Sequence, residues 1–116
     1  MKSIFIIICL ALFVITGCRK DGILEDTPTC IKDKITKMQN ESVTSPPSKV
    51  YEYTYKKQLV YFIPQFCCDF PSELYDENCT LICEPDGGFT GNGDGKCTDF
   101  FKKRTGKRLV WADPRE

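Results

Sequence analysis

The stretch Val50-Tyr51-Glu52-Tyr53-Thr54-Tyr55-Lys56-Lys57-Gln58-Leu59-Val60-Tyr61-Phe62-Ile63 decides the fold. From Val50 the pattern has period two, with Tyr51, Tyr53 and Tyr55 on one face and Val50, Glu52 and Thr54 on the other. Successive side chains of a strand point to opposite faces, so this is strand patterning. Lys56-Lys57 interrupts it as a turn, and residues 59–63 resume it, which predicts a β-hairpin. The tyrosine stripe is read as core, because aromatics pack well across strands, with a ligand platform as its other use. Pro64 ends the second strand before Phe66-Cys67-Cys68-Asp69-Phe70.

Further along the chain, Leu74-Tyr75, the turn-forming Asp76-Glu77-Asn78, and Leu81-Ile82-Cys83 predict a second, smaller hairpin. Thr98 is placed to cap a short helix over residues 99–104. Gly106 is its stop, and cations fill its last turn as the helix dipole prefers. Leu109-Val110-Trp111 reads as a last strand. On the N-terminal side, Thr27-Pro28 opens a helix, a hydroxyl to cap and a proline at the first helical position. Ile31, Ile35 and Met38 follow on one face, and Lys32, Asp33, Lys34 and Lys37 point to water. Ser45-Pro46-Pro47-Ser48 breaks that helix and joins it to the hairpin as a stiff connector. The expected fold class is α+β: a small disulfide-rich domain of antiparallel β-hairpins with an N-terminal helix and a short C-terminal helix.

The first residues predict where this domain works. Lys2, an apolar run over residues 4–15 and then Thr16-Gly17-Cys18 make a secretory leader, too short and wrongly flanked for a spanning helix. A cysteine right after the small pair makes it a lipobox, in which the Cys18 thiol is acylated and becomes the new N-terminus. The expected division is a lipoprotein signal peptide over residues 1–17, a lipidated tether over 18–26 and one extracytoplasmic domain over 27–116. Each buried methylene contributes roughly 0.8 kcal/mol, so several acyl chains hold a protein where one does not. Arg19 is not the aspartate that retains lipoproteins in the inner membrane, which points to the outer membrane of a Gram-negative bacterium. Lys20-Asp21 resembles the tag of lysine plus acids that exposes some lipoproteins on the cell surface.

Sixteen basic and sixteen acidic residues balance, so nothing steers toward nucleic acid. A chain of 116 residues that loses its leader hides a modest fraction of its surface and needs staples. Of eight cysteines, Cys9 leaves with the leader and Cys18 goes to lipid. Cys30, Cys67, Cys68, Cys79, Cys83 and Cys97 remain, an even set that reads as three disulfides in an oxidising compartment. Pairings that join the neighbours Cys67 and Cys68 are set aside, because they strain the intervening peptide. The two are expected to fasten one strand end to two different parts of the fold, each closure contributing about 2–4 kcal/mol.

Five of the eight glycines fall in Pro85-Asp86-Gly87-Gly88-Phe89-Thr90-Gly91-Asn92-Gly93-Asp94-Gly95-Lys96-Cys97. Tight left-handed turns that let Cys83 and Cys97 reach their partners account for that density. The functional reading is a calcium loop using Asp86, Asn92 and Asp94. Asn92, Asp94 and Gly95 match the third, fifth and sixth positions of an EF-hand loop, but Thr90 and Phe101 stand where its first Asp and its Glu belong. A P-loop fits less well than calcium, because Gly91-Asn92-Gly93-Asp94-Gly95-Lys96 lacks its spacing and is followed by Cys97 rather than Ser or Thr. With no histidine in the chain the usual general base and the commonest metal ligand are missing, and no C-x-x-C pair suits zinc or redox work. No enzyme activity, metal or cofactor is therefore expected.

Cys67-Cys68-Asp69, Leu74-Tyr75-Asp76-Glu77-Asn78, Ile82-Cys83-Glu84-Pro85-Asp86-Gly87-Gly88 and Gly93-Asp94-Gly95-Lys96-Cys97 resemble a family of small bacterial lipoprotein domains with no assigned function, over residues 30–111. The resemblance implies an extracytoplasmic module without known catalytic residues. It departs at Cys79, where glycine is usual in a turn reading Asp-Glu-Asn-Gly. The shared set of thiols is then odd, and one thiol is free or pairs between molecules. The leading expectation is an envelope lipoprotein acting as a structural or binding module. Its membrane contact is the lipid anchor and its other partner is a protein or a glycan. The glycine loop and the tyrosine hairpin are the candidate contact surfaces. The alternatives are a protease inhibitor offering the loop between Cys83 and Cys97, and the calcium module.

Overall fold

The hairpin lies at the centre of the sheet, where strand β3 (Lys49–Tyr55) pairs with β4 (Gln58–Ile63), Tyr51 opposite Phe62 and Tyr55 opposite Gln58. The computed structural model describes residues 19–20, 22–65, 67 and 69–115. The predicted leader, Cys18 and Cys68 lie outside the described residues. Lys56 and Lys57 make the two-residue turn with φ of 49° and 63°. Both are left-handed, as the primed turn of a tight hairpin demands.

β5 (Glu73–Tyr75) and β6 (Leu81–Cys83) form the second hairpin, and β7 (Thr105–Ala112) closes the other edge. The five strands run antiparallel in the order β6-β5-β4-β3-β7. A 12-residue helix α1 (Thr29–Asn40) covers one face, and a four-residue helix α2 (Phe100–Lys103) covers the other. The fold is therefore mostly β, with less helix than an α+β reading implies.

Alternation decides what each face buries. Val50, Tyr61 and Tyr75 meet Ile31 and Ile35 of α1, together with Ile23, Val110 and Trp111. Tyr53, Tyr55, Val60, Phe62 and Leu74 meet Phe100 of α2 and the Cys83 and Cys97 side chains. Phe100 stands edge-on to Tyr53 and Tyr55, with centroids 5.7 and 5.3 Å away. The buried Glu52 carboxylate accepts from the Tyr61 hydroxyl at 3.2 Å and pairs with Arg108 at 3.1 Å. Those partners offset the cost of burying its charge.

Four sequence expectations need correction. Helix α1 starts at Thr29, with Pro28 at the capping position and no side-chain cap. Pro28 holds an extended backbone, and its carbonyl accepts from Ile31 and Lys32, while the Thr27 hydroxyl is buried with no partner. Asp99 rather than Thr98 precedes α2. Gly106 does not stop that helix: it lies inside β7 with φ 63°, where the register against β3 shifts. The stretch expected to be a tether is docked in its described part. β1 (Arg19–Lys20) pairs with β2 (Ile23–Leu24), Ile23 is buried, and Asp26 pairs with Arg108 at 2.9 Å.

Candidate functional site

Cys83, the last residue of β6, and Cys97, just before α2, are buried and bonded to each other with their Cα atoms 6.1 Å apart. Between them the glycine loop leaves the sheet beyond its edge and returns. Its base is fixed by side chains. Ser72, fully buried, bonds the Asp86 carboxylate and donates its N–H to the Asp86 carbonyl at 3.0 Å. Asp94 accepts the Glu84 N–H at 3.1 Å on one oxygen and the Lys96 N–H at 3.0 Å on the other. The Lys96 and Glu84 amides hold the Asp94 carboxyl below the usual range.

The loop's backbone also crosses itself. Gly93 donates to Gly87 O at 2.9 Å, Asp94 to Glu84 O at 3.0 Å, Gly87 to Gly91 O at 3.1 Å and Gly91 to Gly88 O at 3.2 Å. A side chain at Gly93 would place its Cβ 1.9 Å from the Glu84 carbonyl oxygen, so the crossing requires glycine there. At the tip, Phe89 and Thr90 are the central residues of the turn from Gly88 to Gly91, and Phe89 is 94% exposed. Phe70, 56% exposed, lies in the neighbouring loop, which bridges to this one through Pro71 and Gly87.

The residues singled out from sequence do not converge. Asp86 is engaged by Ser72 and Asp94 by the loop's own amides, and Asn92 is exposed. Among the described residues no group of three or more His, Cys, Asp or Glu stands close enough together to hold a metal. Cys30 bonds to Cys79, with Cα atoms 6.0 Å apart. Cys83 and Cys97 do not reach for separate partners. These two bridges occupy all four cysteines, so the expectation that Cys67 fastens to one of them is not met, and the same expectation for Cys68 lies outside the described residues. Cys67 is itself disulfide-bonded.

The tyrosine stripe is core rather than platform, since Tyr53 and Tyr55 are buried. Each ring is roofed by a cation: Lys107 lies 4.7 Å over Tyr51, Arg104 4.8 Å over Tyr53 and Lys56 5.2 Å over Tyr55. The Tyr55 hydroxyl donates to Asp99 at 2.5 Å. Burial first, and then Asp99, pushes that hydroxyl up to about 12. Sequence reasoning missed a groove of about 430 Å³ between α1 and the β4–β5 side of the sheet, lined by Lys34, Met38, Glu41, Ile63, Phe70 and Tyr75. Lys34, expected in water, stands 4.1 Å over the Tyr75 ring.

A family model matches residues 36–113. The chain belongs to the family DUF6970, a domain of unknown function. No curated protein and no solved structure matches the chain. The DUF6970 match takes in all five strands of the sheet and the Cys83–Cys97 bridge. It begins inside α1, so Cys30 lies outside it while its partner Cys79 lies within.

Proposed function

We propose that this DUF6970 protein is a non-catalytic module of the cell envelope, anchored by acylated Cys18, that binds a partner protein through the tip of its glycine loop. The observation that carries the reading is Phe89, almost wholly exposed on a loop closed by the Cys83–Cys97 bridge and crossed by its own hydrogen bonds. A large aromatic held out on a preorganised backbone loses little entropy on docking, and such residues dominate binding energy at protein interfaces. The lipobox supports the anchor.

The inhibitor reading draws on the same residue. A protease takes an extended segment, whereas Phe89 and Thr90 sit in a tight turn, which favours docking over cleavage-site mimicry. Replacing Phe89 by photoreactive benzoylphenylalanine tests the surface. Irradiated cells should give a discrete crosslinked species from position 89 and none from position 37 on α1. No adduct, or the same products from both positions, refutes the reading. Feeding an alkyne fatty acid tests the anchor, since the wild type should take up the label and Cys18→Ala should not.

A further inference from the structure

A chain with no net charge can still be polarised, and this one is. Lys56 and Lys57 form the β3–β4 turn, and Thr105 pairs with Thr54 beside it. Lys102, Lys103 and Arg104 lead directly into that strand, and Lys107 follows within it. The five lysines are exposed. The acid among them, Asp99, is taken by Tyr55 and by Lys103 at 3.4 Å. Three of the cations are ordered over rings, and Phe101, 39% exposed, adds apolar surface between them. At the far end of the strands, roughly 20 Å away for a six-residue β4, the loops over residues 64–72 and 84–96 carry Asp69, Glu84, Asp86 and Asp94 against Lys96.

The path of the chain adds the second observation. β1 is antiparallel to β2, with Arg19 opposite Leu24, and Asp26 pairs with Arg108, the neighbour of Lys107. Arg19 therefore lies at the Leu24 end of this pair, the end that points toward Arg108 and away from Trp111, which Gly22 approaches.

We propose that the basic end formed by Lys56, Lys57, Lys102, Lys103, Arg104 and Lys107 lies against the anionic, phosphate-bearing headgroups of the membrane that holds the anchor. This rests on the anchor reading. Each basic residue at an anionic surface strengthens attraction about fivefold, and repulsion of the acidic loops turns the domain the same way. Phe89 then faces away from the lipid. A second copy of the chain has acidic loops that would also suit the basic end. Anchored neighbours stand with the same end toward the membrane, so the basic end of one does not meet the far loops of the next.

The lipidated protein, reconstituted in vesicles of phosphatidylcholine alone or with about one-third phosphatidylglycerol, tests this. Flotation with the neutral vesicles reports the anchor. The orientation is read separately, from the rate at which a water-soluble ester acetylates each lysine, resolved by peptide mass spectrometry. Lys56, Lys57, Lys102, Lys103 and Lys107 should react about threefold or more slowly on the anionic vesicles, with Lys32, Lys37 and Lys96 unchanged. The protection should vanish near 1 M salt, where the screening length falls to about 3 Å. Lys102→Glu with Lys103→Glu should release Lys56 and Lys57. Equal rates on both vesicles overturn the proposal, and so does protection that tracks protein density on neutral vesicles, the signature of a second copy. If the protein fails to float with neutral vesicles the anchor reading falls. Flotation with anionic vesicles alone, abolished by the double reversal, then upholds the basic surface, and failure there overturns it too.

Discussion

Replacing Cys30 by Ala together with Cys79 by either Ala or Gly separates two effects at one bridge. Cys30 and Cys79 are 49 residues apart, and loop closure over that span restrains the unfolded chain by about 4 kcal/mol. Both double replacements should lose most of that. They should differ in the folded state, because Cys79 has a φ of 60°. A side chain in the left-handed region costs about 1–2 kcal/mol, and glycine escapes that cost while giving up roughly 0.5–1 kcal/mol through its freer unfolded chain. The glycine variant should therefore be the more stable of the two by about 0.5–1 kcal/mol, the reverse of the order at an ordinary position. Urea unfolding of oxidised protein, followed by fluorescence of the single, buried Trp111, measures both. Finding the alanine variant more stable refutes the backbone argument. Finding both within about 0.5 kcal/mol of wild type refutes the staple argument.

The primed turn at Lys56-Lys57 should accept Asn-Gly with a gain of about 1 kcal/mol, read as a higher urea midpoint at unchanged slope, since both lysines hold positive φ. Gly93→Ala should cost more than about 3 kcal/mol and hinder closure of Cys83–Cys97, because its Cβ would meet the Glu84 carbonyl. Gly95→Ala, at φ 74° with open space around it, should cost only about 1 kcal/mol; similar losses for the two would refute the contact argument. Alkali should also unfold the protein. The Tyr55 hydroxyl is raised from 10 to about 12, so its contribution is intact below pH 10 and is lost as pH rises toward 12. Tyr55→Phe should flatten that part of the stability curve without abolishing it, because burial raises Tyr61 and Tyr75 in the same direction.

The hairpins were legible because their alternation is written in tyrosines and branched residues that need a buried face. β7 was only half legible, since Thr105, Lys107 and Arg108 lie on an edge strand, where charge replaces the apolar signal. The start of α1 was displaced because a Thr-Pro pair carries the same cap signal whether its hydroxyl turns toward the helix or, as at Thr27, into a buried turn. At the site, the glycine density was readable as left-handed turns, but bridge connectivity is a property of the folded arrangement, so sequence left the partners of Cys83 and Cys97 open. Phe89 carried no signal of its own. An aromatic between glycines looks the same whether the loop folds under or stands out.

The two described bridges divide the work by layer. A five-stranded sheet with both faces apolar needs a cover on each, and neither cover here is large. Cys30–Cys79 ties α1 to the β5–β6 turn on one face, and Cys83–Cys97 ties the segment entering α2 to the end of β6 on the other. The second lies wholly inside the region matched by DUF6970, and the first has one end outside it. Family membership therefore extends to the loop and its staple, whereas α1 is fastened through a residue the matched region does not include. A glycine at position 79 would suit the left-handed backbone there, so the fold can form that turn without the crosslink. The cover on the α1 face would then depend on the packing of Ile31, Ile35 and Met38 and on Arg115, which donates to the Met38 and Glu41 carbonyls at the helix's C-terminal end.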